Sequence, residues 1–143
     1  MNRRSDSIWS PTYTLLIVVN FFQSMAAQIA NTAIPLYARS LGITTASIGA
    51  IVASFTITAI AIRPFSGPAF DSFPKKTLFF GACLISMIAM VLYSFAASTE
   101  TLFAVRLLHG VGIGCAAPLG MAICNQVLPP SRISSGISIY MLA

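Results

Sequence analysis

The chain has 143 residues, of which 57% are hydrophobic and only 8% charged, and its mean hydropathy is +0.86. So little polar surface cannot coat a water-soluble domain, so the composition predicts an all-α integral membrane protein. The net charge of +5 does not indicate nucleic-acid binding, because the basic residues stand singly or in pairs between apolar runs. The three cysteines lie inside apolar runs and indicate neither a disulfide framework nor a metal site, and we expect no cofactor.

Long apolar stretches predict four membrane-spanning helices, since roughly 20 apolar helical residues cross the hydrocarbon core. The predicted spans cover residues 13–37, 46–62, 77–97 and 101–124. Short connections between them predict that neighbouring helices run antiparallel. A fifth apolar stretch starts at about residue 136 and meets no stop signal before residue 143. We therefore expect a partial chain, truncated early in a fifth helix.

The positions of lysine and arginine predict the orientation in the membrane. With a cytoplasmic N-terminus, six of these residues lie in inside segments and one, Arg39, lies in an outside loop. The start of the first span also resembles a secretory signal peptide, but its apolar stretch continues well beyond Ala26, which favours a retained helix. We therefore predict a multi-pass protein of the cell (inner) membrane with its N-terminus in the cytoplasm.

The loop between the second and third predicted spans holds one acid among several bases. Gly67 would let two helix ends approach closely, and Asp71 could meet the positive N-terminal end of a helix. Together with Lys75 and Lys76, these residues match the offsets of Gly-x-x-x-Asp-Arg-x-Gly-Arg-Lys, a pattern of the major facilitator superfamily. The loop therefore resembles that family of transporters, and Arg63-Pro64 just upstream resembles its efflux-type members, which export drugs and sugars.

The resemblance implies that this loop is a cytoplasmic latch between the two halves of a transporter. Asp71 would be its acid, and Lys75 and Lys76 its basic partners. Ser72 and Pro74 depart from the family pattern, where arginine and glycine are usual, which bears on the strength of the charge network. The alternative is that the lysines are ordinary topology signals and Asp71 is a solvated loop acid.

One charged residue, Arg106, lies five residues into the fourth predicted span, about 8 Å deep. Charge inside a membrane marks a functional candidate, although an arginine at this depth can also extend to the interface. Arg106, Gly110 and Gly112 resemble the Arg-x-x-x-Gly-x-Gly motif of the same superfamily, whose arginine faces the central cavity and handles protons or substrate. The glycines also suit close helix packing.

The first predicted span carries a polar face. Asn20, Ser24, Ala27 and Asn31 recur at helical spacing and are flanked by glutamines, of which Gln23 is one. Uncharged amides in hydrocarbon must find partners, so this face turns inward, either to join helices or to line a substrate path. Family resemblance places the first helix at the central cavity, and Asn20, Gln23 and Asn31 are then candidate substrate contacts.

These features predict the N-terminal helices 1–4, and the start of helix 5, of a major facilitator secondary transporter. Such a protein exports small molecules, and the resemblance includes coupling to protons. The expected partners are a small-molecule substrate, protons, the lipid bilayer and the missing C-terminal portion, without which transport is not expected. The alternative is a small non-transporting membrane protein that assembles with or scaffolds others. An enzyme is not predicted, because no paired carboxylates, metal spacing or phosphate loop occur.

Overall fold

A computed structural model of the chain describes residues 8–64 and 73–143. Regular structure in this part of the chain is helical. Five α-helices lie wholly within the described residues: α1 (Pro11–Ser40), α2 (Thr45–Ala61), α3 (Lys75–Leu92), α4 (Thr99–Val127) and α5 (Ile133–Leu142). One 3₁₀ turn, Tyr93–Phe95, extends α3, and another, Pro130–Arg132, precedes α5. The all-α membrane architecture predicted from the sequence is confirmed.

Polar caps set the helix starts. Ser10 accepts a hydrogen bond from the backbone N–H of Tyr13, and Pro11 occupies the first turn of α1, where no backbone donor is needed. Ser98 and Thr101 form a reciprocal capping box at the start of α4. Between α1 and α2, Gly42 adopts a φ of 75°, the left-handed conformation that suits glycine and lets the chain reverse direction.

The central element of the bundle is α4, which packs against α2 on one face and α3 on another. Glycines make both contacts close. A Cβ on Gly110 would lie 2.7 Å from the carbonyl oxygen of Phe55 in α2, and a Cβ on Gly112 would lie 2.8 Å from the backbone nitrogen of Ser86 in α3. Small residues therefore allow backbone-to-backbone packing, as expected for helices in lipid.

Two apolar cores lie along α4. One gathers side chains from the Pro11 end of α1 and from α3, α4 and α5, including Leu16, Phe79 and Ile123. The other gathers side chains from the Ser40 end of α1 and from α2, α3 and α4, including Ile34 and Leu102. Outside these cores many large apolar side chains are exposed, which fits a surface that meets lipid or further helices.

Within the described residues, three helical segments are long and apolar enough to cross a membrane: Pro11–Ser40, Lys75–Phe95 and Thr99–Val127. They contain or overlap the predicted spans at 13–37, 77–97 and 101–124. The apolar helix α2, with 17 residues, is shorter, at about 26 Å of helix. The span predicted at residues 46–62 coincides with α2, and its crossing of the membrane stays a prediction.

Candidate functional site

The candidate site is centred on Arg106, which lies in the second turn of α4. Its side chain is 0% exposed, so it does not extend to the interface, the alternative that its shallow position had left open. A guanidinium removed from water needs acceptors or aromatic faces around it. The surroundings of Arg106 supply both.

The hydrogen-bond acceptors of Arg106 come from α1. One terminal nitrogen donates to the side-chain oxygen of Asn31 at 3.0 Å, and the other donates to the carbonyl oxygen of Ala30 at 3.4 Å. The buried Nε atom has no hydrogen-bond partner within the described residues. The structure thus brings together two residues that the sequence had singled out separately, one on each helix.

Aromatic rings enclose the same guanidinium. Its central carbon lies 5.3 Å from the ring centroid of Phe55 in α2 and 6.0 Å from that of Tyr93, in the turn after α3. Both distances are within the range of cation–π attraction. Neither residue could be selected from the sequence, because an aromatic residue in an apolar run has no mark that separates this role from contact with lipid.

A small cleft lies between α1 and α4, one to two helical turns from this cluster, and is called the polar cleft here because amide and hydroxyl groups of α1 enter it. Its volume is about 110 Å³, which is well below the several hundred Å³ of a typical small-molecule site. The cleft can therefore form one part of a binding cavity and not a complete one. It is lined by Asn20, Gln23, Ser24, Ala27, Ile113, Ala116 and Ala117.

The amides of this cleft are already engaged between helices. The Asn20 amide donates to the carbonyl oxygen of Tyr140 in α5 at 3.0 Å. The Gln23 amide donates to the hydroxyl of Ser86 in α3 at 3.2 Å, and the thiol of Cys83 donates to the Gln23 carbonyl at 3.7 Å. Both residues thus join helices and also line the cleft, while their contact with substrate stays a prediction.

The predicted latch is described only in part. Gly67 and Asp71 lie outside the described residues. Lys75 and Lys76 form the first turn of α3, where Lys75 is half-buried and Lys76 exposed. Lys76 borders an apolar groove of about 550 Å³ between α1 and α3. Over residues 8–64 and 73–143, no three His, Cys, Asp or Glu side chains come together as a metal ion would require.

The fold and site define a multi-pass helical membrane protein with a buried arginine and polar helix faces in its interior. A sequence model of the Major Facilitator Superfamily matches residues 16–143, which is most of the chain. The chain therefore belongs to the major facilitator superfamily. This family consists of transporters, in agreement with the prediction that the chain is not an enzyme.

Among curated proteins, the chain is similar to the multidrug resistance protein MdtD from two kinds of Salmonella. The name of that protein marks its role in multidrug resistance as provisional. It is 26% identical to the protein of Salmonella paratyphi B over 128 residues, 89% of this chain and 27% of that protein. It is also 26% identical to the protein of Salmonella newport over 122 residues, 85% and 26% respectively. The chain thus spans about a quarter of the length of these relatives. No solved structure matches it significantly.

Proposed function

We propose that this chain forms part of the N-terminal half of an efflux transporter of the inner membrane, which exports small molecules and is coupled to protons. The relatives named for multidrug resistance support export of small molecules. Substrate in this family binds between two halves of the protein. The chain spans about a quarter of its relatives, so we expect transport only when the remaining helices complete the cavity.

The observation that carries the proposal is the hydrogen bond between Arg106 and Asn31. It fixes a buried cation between α1 and α4, the two helices that also line the polar cleft. A buried charge with neutral acceptors is unfavourable for stability alone, so its presence favours a role in handling substrate or protons.

The proton-binding group of such a transporter is not expected to come from this chain. Its three acids are Asp6, Asp71 and Glu100, all outside the predicted spans. Arginine keeps its proton throughout, and a carboxylate is the usual group that gains and loses one inside a membrane. We propose that this carboxylate lies in the remaining helices and that Arg106 supplies the fixed positive charge that it senses.

A transport assay on the complete transporter tests the role of Arg106. We expect Arg106→Ala to reduce the initial rate of ethidium uptake into inverted vesicles, the direction that corresponds to export from the cell, by roughly tenfold or more, since leaving the Asn31 and Ala30 acceptors unpaired and removing the charge each disturb the cavity. Arg106→Lys should recover only part of the rate, because an ammonium cannot reach both acceptors. Arg39→Ala, which changes an exposed arginine at the end of α1, is the control. Full activity of both Arg106 variants would remove the proposed role.

A further inference from the structure

We propose that Phe55, Tyr93 and His109 are positioning residues that hold the guanidinium of Arg106 inside the bundle and direct it towards Asn31. The inference relies on the proposed function only for the importance of Arg106, since the positioning itself is argued from contacts. It gives a role to three residues that neither the sequence motifs nor the comparisons select.

Arg106 needs to be held, because its position near the end of a membrane helix would let a long side chain extend to water. In the described part of the chain, no carboxylate pairs with it. Glu100, the acid on the same helix, is exposed and lies six residues away, about 9 Å along the axis. Within residues 8–64 and 73–143, the groups that attract the buried charge are therefore neutral.

The two aromatic rings supply this attraction from different helices. Phe55 lies in α2 and Tyr93 in the turn that follows α3, with their ring centroids 5.3 and 6.0 Å from the guanidinium carbon. Cation–π attraction strengthens where water is excluded, and Arg106 is 0% exposed. Since Asn31 approaches from α1, groups from three helical segments converge on the one cation that α4 carries.

His109 supports both rings. It lies three residues after Arg106, so it shares a face of α4, and it is 1% exposed. Its Nδ1 lies 3.2 Å from the hydroxyl oxygen of Tyr93, and its ring centroid lies 5.2 Å from that of Phe55. A second positive charge beside the guanidinium is unfavourable in the interior, so we take the imidazole as neutral and the Tyr93 hydroxyl as the donor to Nδ1.

Gly110 brings α2 close enough for this arrangement. A Cβ at this position would lie 2.7 Å from the carbonyl oxygen of Phe55 and 2.9 Å from the Cβ of Thr58. The backbone of Phe55 therefore packs directly on α4, one turn from Arg106. Any larger residue at position 110 would push Phe55 outward and move its ring away from the guanidinium.

Chemical modification of arginine tests the proposal without any transport assay. The chain, purified in detergent, is treated with phenylglyoxal, and each arginine is quantified by mass spectrometry. In the chain without substitutions, Arg39 and Arg132 should react with phenylglyoxal because they are exposed, while Arg106 should be protected from it. Phe55→Leu and Tyr93→Leu should each raise the modification of Arg106 by roughly tenfold or more, because the freed guanidinium can extend to water.

Matched variants separate positioning from general loosening of the bundle. Phe95→Leu changes an aromatic residue of the same turn that is 77% exposed, and it should leave Arg106 protected. Tyr93→Phe keeps the ring and loses only the hydroxyl, so modification should rise by less than in Tyr93→Leu. His109→Ala should resemble Tyr93→Phe or exceed it, since it removes the support of both rings. Helical content, measured by circular dichroism, shows whether each variant is folded.

Protection of Arg106 in both leucine variants, or equal exposure in Phe95→Leu, would overturn the proposal. If the leucine variants do not fold, Tyr93→Phe and His109→Ala decide it, and unchanged protection in both would count against positioning. The outcome is separable from the proposed function. Normal efflux by Arg106→Ala, combined with the expected labelling pattern, would reject the transport role of Arg106 and leave the positioning intact.

Discussion

At the residue scale, the bond between Arg106 and Asn31 pairs a permanent charge with an uncharged amide. An amide oxygen stabilises the guanidinium without neutralising it, so the interior keeps a net positive charge. The side-chain nitrogen of Asn31 donates a hydrogen bond to the side-chain oxygen of Gln28 at 3.3 Å, which restrains the orientation of the Asn31 amide. Asn31 therefore connects the buried cation to the polar face of α1.

Replacing Asn31 by alanine should destabilise the chain, because it leaves a terminal nitrogen of Arg106 without its acceptor. An unsatisfied buried group costs about 1–3 kcal/mol, and more where it is charged. Thermal unfolding in detergent should show a lower melting temperature for Asn31→Ala and little change for Thr32→Ala, which removes an exposed neighbour. Equal melting temperatures in the two variants would show that the Arg106 to Asn31 bond contributes no stability.

The sequence could predict which polar residues matter, but not which ones meet. Depth and motif selected Arg106, and helical spacing selected Asn31, since polar residues in apolar runs stand out. Their hydrogen bond depends on how far α1 and α4 are rotated about their axes, which no local pattern records. Phe55 and Tyr93 could not be predicted for a related reason. The aromatic residues that face a charge and those that face lipid are of the same types and occur in the same kind of apolar run.

At the element scale, α4 is organised by glycines that face different neighbours. Gly110 faces α2, Gly112 faces α3, and Gly120 faces the ring of Tyr140 in α5. The contacts of Gly110 and Gly112 are each with one helix, so a single substitution at either should disturb one interface and leave the others in place. A side chain at position 120 would also meet the ring of Phe79 in α3.

Gly112→Ala should weaken the interface between α3 and α4. The added methyl would overlap the hydroxyl of Ser86 and lie 3.0 Å from the carbonyl oxygen of Ala82, so the helices must separate. Overpacking of this kind costs about 1–3 kcal/mol, which should lower the melting temperature by a few degrees. Gly81→Ala in α3 is the control, because nothing lies within 4 Å of its added methyl and alanine favours a helix. A control that melts as low as Gly112→Ala would contradict this account.

Hydropathy alone does not predict where the helices begin and end. The spans predicted at 13–37 and 101–124 fall inside α1 and α4, which run from Pro11 to Ser40 and from Thr99 to Val127. Apolar runs mark the segment that lies in hydrocarbon, whereas helices end at their caps, which lie in the more polar interface. The Ser98 cap carried the information for the start of α4, and the end of α4 at Val127 precedes the Pro129 that prevents its continuation.

At the scale of the whole molecule, the orientation in the membrane is open to a direct test. Single cysteines at Gly42 and Arg132, in a chain whose native cysteines are replaced by alanine, mark the α1–α2 connection and the turn before α5. Since the lysines and arginines favour a cytoplasmic N-terminus, a membrane-impermeant maleimide should label position 42 on intact spheroplasts and position 132 only in inverted vesicles. The reverse pattern would show that the predicted orientation is wrong.

The hydrogen bond from Asn20 to the carbonyl oxygen of Tyr140 also determines when, during synthesis, the helices can assemble. The two residues are 120 positions apart in the chain. At about 5–20 residues per second, a ribosome needs roughly 6–24 s to synthesise that length. During this interval α1 is in the bilayer while α5 has not yet been synthesised. The Asn20 amide must then form temporary hydrogen bonds with water, lipid headgroups or the insertion machinery. The bundle can close only after α5 emerges.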